Sequence, residues 1–155
     1  MIKLTILVFF FSITLLSNPS FSLELTVKIN KLKKLDKKIR FELYLVGLKQ
    51  PKKWNNLQLV NSDYVVVGPE KNEIFISQLD HGRYALRIYQ DLNNNGKLDK
   101  SSSNIPLEPI GFSENPSLFS GEPLPEDAAF ELRENMSMAI TLKHRKAKRI
   151  GKKPR

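Results

Sequence analysis

Asp91, Asn93, Asn95 and Asp99 set four oxygen-bearing side chains around Gly96 in the run Asp91-Leu-Asn-Asn-Asn-Gly-Lys-Leu-Asp99. A hard cation such as calcium takes several oxygens at short range, and a tight glycine-turned loop lets a short segment supply many of them. In a calcium loop Asp91, Asn93 and Asn95 would take the first, third and fifth positions and Gly96 the turn. Lys97 would offer its backbone carbonyl, and Asp99 the ninth position. The closing position, where a bidentate glutamate belongs, holds Ser102, and the flanks read as strand and coil instead of two helices. A metal shell here therefore needs a carboxylate from elsewhere, with Glu108, Glu114, Glu126 and Asp127 as candidates. With two local carboxylates the affinity should be weak, about 10⁻⁴–10⁻³ M. The alternative is a plain hydrogen-bonded turn. Asn95-Gly96 is a type I′ signal, Asp and Asn close such loops without metal, and Lys97 and Lys100 oppose a cation. Both readings stay open on the residues alone.

Other chemistries are poorly supplied. The same acidic residues could serve a glycoside hydrolase, which needs two carboxyls facing each other across a bond, but acids in a polar loop more often cap backbone amides. The two histidines fall apart in sequence, His81 in a turn and His144 in a basic run, and neither has a second ligand at metal spacing. No serine sits in a nucleophile elbow, and phosphate-cradling glycine motifs are absent. The lack of cysteine removes disulfides, thiolate sites and thiol nucleophiles together. The residues thus favour a non-enzymatic module over a hydrolase using loop carboxylates.

The elements that must hold this loop are strands. Leu23–Asn30 alternates apolar and polar residues, as do Ile39–Val46 and Arg83–Gln90. Asp63–Val67, Glu73–Leu79, Ala128–Arg133 and Met136–Leu142 supply the others, with a turn at Asp80-His81-Gly82. Between Asp91 and Asp127 no strand or helix period survives, and five of the nine prolines lie there. Ile105, Leu107, Ile110, Phe112, Leu118, Phe119 and Leu124 give this excursion apolar surface, so it is expected to be ordered over one end of the sheet. The pattern predicts an all-β fold, a single antiparallel β-sandwich of prealbumin or immunoglobulin type with a long Pro/Gly-rich loop.

Compartment and partners follow from the ends. Residues 1–22 read as a signal peptide: Lys3, an apolar run from Leu4 to Leu16, Pro19, then Ser20-Phe21-Ser22 as a cleavage site. The expected mature domain, residues 23–142, is neutral, with sixteen basic and sixteen acidic side chains. The net charge of +9 comes mainly from residues 143–155, which hold eight Lys/Arg and no acid and are expected to form a basic disordered tail. Such a tail suits an anionic envelope surface. It lacks the interleaved aromatics that single-stranded nucleic acid would want. No transmembrane segment is expected after signal cleavage, and the protein is expected to be periplasmic or extracellular.

Three blocks carry a resemblance: Gly82-Arg-Tyr-Ala through Asn93-Asn-Asn-Gly-Lys-Leu-Asp99, then Pro106-Leu-Glu-Pro-Ile-Gly-Phe-Ser113, then Asp127-Ala-Ala-Phe130. In order and type they resemble domain-of-unknown-function family 2141. The resemblance implies an exported bacterial β-sandwich and no established activity. It departs at Gln90, where the family often has histidine, and at Ser101-Ser-Ser-Asn104, so histidine-dependent chemistry is not implied here.

Overall fold

The computed structural model describes residues 22–33, 37–47, 52–68, 71–102, 105–119 and 121–144. The expected signal peptide up to residue 21 and the basic tail from residue 145 lie outside the described residues. Among the described residues eight strands form: β1 (Leu23–Asn30), β2 (Lys38–Leu45), β3 (Gln58–Val66), β4 (Glu73–Leu79), β5 (Gly82–Asp91), β6 (Ile110–Phe112), β7 (Ala129–Leu132) and β8 (Met136–Thr141). Short 3₁₀ turns lie at Trp54–Asn56 and Pro125–Ala128.

The strands build two sheets. One has the order β4-β1-β8; the other runs β3-β2-β5-β6, with β7 on the N-terminal half of β5. The all-β sandwich stands as expected. One pairing departs from the antiparallel rule, because β1 and β8 run parallel from Leu25↔Met136 to Asn30↔Thr141. Parallel neighbours need a crossover, and here the whole of the second sheet intervenes in sequence.

Alternation decides what each face does. Leu25, Val27 and Ile29 on β1 meet Ile39, Phe41 and Leu43 on β2 and Leu86 and Ile88 on β5 in the main core between the sheets. Tyr44 on β2 and Ala85 and Tyr89 on β5 occupy the alternate positions and point to the outer face of the five-stranded sheet. A second core forms there with Val46, Trp54, Ile110, Phe112 and Ala128. The Pro-rich excursion therefore lies over the outer face of this sheet, not merely over one end.

The excursion also holds a strand that its period hides. β6 is three residues long, pairs Arg87↔Phe112 and Tyr89↔Ile110, and is buried throughout. Gly111 between them has no room for a side chain, since a Cβ would come within 2.6 Å of the Ile140 Cγ2 on β8. Ile110 and Lys143 exchange backbone hydrogen bonds of 3.1 and 2.8 Å, so the two sheets are stitched at this corner.

Candidate functional site

The loop begins where β5 ends. Asp91 is 1% exposed at the end of β5, so its carboxylate must find partners, and it turns back into its own loop. One oxygen accepts the Asn95 N–H at 3.1 Å and the other the Gly96 N–H at 2.8 Å. Asn93 Oδ1 accepts the Asn95 N–H at 3.1 Å, and Asn95 Oδ1 accepts the Lys97 N–H at 2.9 Å. Asn93 and Asn95 both donate through Nδ2 to Asp99, at 2.6 and 3.0 Å. Asn94 and Gly96 take positive φ, 59° and 78°. The turn is therefore not the type I′ pair at Asn95-Gly96, which would need positive φ at both of those residues. Tyr64 on β3 fastens the tip, its hydroxyl donating to the Gly96 carbonyl at 2.7 Å.

Of the four distant carboxylates, Glu108 reaches the loop. It is 4% exposed, and its two oxygens accept the Leu92 N–H at 2.7 Å and the Asp99 N–H at 3.2 Å. Burial pushes its carboxyl above the usual range; the two N–H groups pull it down, and the charges of Asp91 and Asp99 push it up again. Glu126 instead pairs with Arg83, whose hydrogen bond holds its carboxyl below the usual range. Asp127 caps the Leu124 N–H at the second 3₁₀ turn, and Glu114 is exposed in a turn with φ of 60°.

As a calcium site the donor set does not fit as it stands. The asparagines present amide nitrogens to Asp99, both Asp91 oxygens are taken by backbone N–H groups, and among the described residues no group of three or more His, Asp or Glu side chains could hold a metal ion.

A second polar cluster was not signalled by any motif. Arg87 on β5 projects onto the outer face between Tyr44 and Trp54, its guanidinium carbon 5.6 and 5.5 Å from their ring centres. It donates twice to Glu42 Oε2, at 2.9 and 2.6 Å, and once to Glu122 Oε1 at 2.9 Å. Tyr44 accepts from Arg87 at 3.0 Å and donates to Glu42 at 2.9 Å. Burial pushes the Tyr44 phenol up to about 12, against the pull of the Arg87 charge. Since Glu122 belongs to the excursion, this network ties the excursion to the sheet, as does the Trp54 Nε1–H bond to the Pro123 carbonyl at 2.9 Å. Period-two alternation puts Glu42, Tyr44 and Arg87 on one face, but it cannot show that Glu122 will return to them.

Ser113 completes the wiring. It is fully buried, accepts the Leu86 N–H at 2.9 Å and donates to the Ala128 carbonyl. Beside this wiring, between residues 105–112 and 118–122, a cavity of about 270 Å³ opens, with Lys143 and His144 among its lining. Gln90, the departure from the usual histidine, is fully buried and accepts the Lys33 N–H at 3.1 Å, a structural contact made by an amide oxygen. His81, the other histidine, is exposed in its turn.

No curated protein and no solved structure matches the chain. The residues that carry the resemblance now have physical duties: Asn93, Asn95, Gly96 and Asp99 build the self-capped loop, Glu108 bolts it, Gly111 clears β8, Phe112 packs on Trp54, and Ser113 joins β5 to the second 3₁₀ turn. Residues 27–141 match the model of a family described as an uncharacterized protein conserved in bacteria (DUF2141), and the chain belongs to that family.

Proposed function

We propose that the protein is an exported, non-enzymatic β-sandwich module with a binding or envelope-structural role. The observation that supports this most is how six of the seven acids of the excursion are spent, with Glu114 exposed in its turn. Asp91, Glu108 and Asp127 accept backbone N–H groups, Asp99 accepts two asparagine amides, and Glu122 and Glu126 hold arginines. A glycosidase keeps two carboxyls free to face its substrate. The test is turnover of a panel of nitrophenyl glycosides and esters by purified protein. Rates equal to buffer are expected, and a saturable rate abolished by Glu108→Gln overturns the reading in favour of a hydrolase using loop carboxylates.

A second reading places calcium in the loop through Asp91, Asn93, Asn95, the Lys97 carbonyl and Asp99, with Glu108 closing the shell. It is favoured by the hold of Glu108 on the N–H groups of Leu92 and Asp99, and it requires both asparagine amides to turn over and the three carboxylates to close on one point. An ion that binds only the native state must raise the melting temperature. With a dissociation constant of about 1 mM, several millimolar calcium should add about 1 kcal/mol relative to chelator. An unchanged melting temperature removes calcium from the account.

The basic tail adds a partner of its own, an anionic envelope surface. Seven Lys/Arg and no acid between residues 145 and 155 support this. Salt-sensitive adsorption to anionic vesicles should be lost when residues 145–155 are deleted.

A further inference from the structure

The cavity beside Glu108 has the make-up of a ligand site. Its floor is Ile110 and Phe112, each 2% exposed, and its walls include Ile105 and Leu118. At about 270 Å³ it lies just below the range of drug-sized small-molecule pockets, about 300 to 1,000 Å³. That is room for one slender apolar chain and not for two. Phe119, also in the lining, is 89% exposed. An aromatic ring left in water is apolar surface that a ligand lying against it would cover.

The polar lining sets the sign of the ligand. Glu122 is neutralised by Arg87 and Lys100, and both oxygens of Glu108 are bound by backbone N–H groups. On the opposite count stand two cations without acids. The Lys143 ammonium donates to the neutral carbonyls of Asn115 and Pro116, at 3.3 and 2.6 Å. The Lys33 ammonium lies 3.2 Å from His144 Nε2. Among the described residues neither lysine makes an ion pair. The chain then continues from His144 into the basic tail. An anionic head set beside Lys143 would meet an ammonium with no acid partner, and a cationic head would be repelled by it.

We infer that this cavity binds the hydrocarbon chain of a single-chain fatty-acid carboxylate, with its head held by Lys143 and His144. The inference rests on the module being a binding one.

The experiment is calorimetric titration of the purified protein with decanoate and with decyltrimethylammonium, each below its micelle concentration. The two ligands share a chain and differ in the sign of the head. Decanoate should bind at least tenfold more tightly. Leu118→Trp, which fills the space, should abolish binding. Phe119→Ser, at a ring too exposed to support the core, should weaken it several-fold while the emission of Trp54 stays native. Dilution heats alone for decanoate overturn the inference, as does equal affinity for the two heads or wild-type affinity in both variants. A turnover assay bears on the non-enzymatic reading and this titration on the ligand, so a failure of one is distinguishable from a failure of the other.

Discussion

At the scale of single residues, the fold spends its buried polar groups on backbone amides. Glu108 is the clearest case, because its carboxylate has two acceptor oxygens and both face N–H groups of the loop it fastens. Glu108→Gln would turn one acceptor into a donor aimed at a donor. A loss of about 1–3 kcal/mol is expected in denaturant titrations, with faster amide exchange at Leu92 and Asp99. Tyr44 makes a different kind of prediction. Its phenol titrates at about 12 in the fold against 10.0 when unperturbed, so the folded state holds that proton more tightly. The stability this confers is fully present below pH 10 and is lost as pH rises through 12. The loss should approach about 3 kcal/mol, followed by denaturant midpoints and phenolate absorbance. Tyr44→Phe should flatten that part of the pH profile.

At the scale of elements, β6 is the instructive one. Three residues cannot show a period, and prolines on either side hide the strand, so it was invisible to alternation that revealed β1, β2, β4 and β5. β3 was partly legible, since Asp63–Val67 reads as strand, whereas its observed start at Gln58 has exposed residues on both faces and no alternation to read. The chemistry of the loop was legible in type but not in wiring. Asp91, Asn93, Asn95 and Asp99 announce oxygen around a turn, yet only the fold tells that Glu108 comes back while Glu126 goes to Arg83. Gly111 explains why a glycine stands in β6. A methyl group there meets Ile140 at 2.6 Å, and the carbonyl of Thr141 lies 3.2 Å away. Gly111→Ala should therefore destabilise by about 1–3 kcal/mol, and the lost β6–β8 contact should appear as earlier exchange at Ile110 and Lys143. Asn115 guards the same corner: its side chain accepts the Thr141 N–H at 2.8 Å and donates to the Ala139 carbonyl at 2.7 Å, pairing with β8 as a strand would.

At the scale of the molecule, two cores share one wall. β5 sends Leu86 and Ile88 into the main core and Ala85 and Tyr89 into the smaller one, so neither can dissolve without disturbing the other. The expected outcome is a single unfolding transition. Emission from Trp54, the one tryptophan of the chain, reports the outer core, and far-ultraviolet circular dichroism reports both sheets. Their midpoints in denaturant should coincide. Separate midpoints would make the excursion an independent unit.

The parallel ladder between β1 and β8 has a mechanical meaning. Because the two strands point the same way, the polypeptide enters the sandwich at the Leu23 end and leaves it beyond Thr141 at the other, roughly 25 Å away for strands of this length. Pulling those ends apart directs force along the strands, so the six pairs from Leu25↔Met136 to Asn30↔Thr141 share the load in shear instead of parting one after another. A copy fastened at both ends would be a short, stiff link under tension.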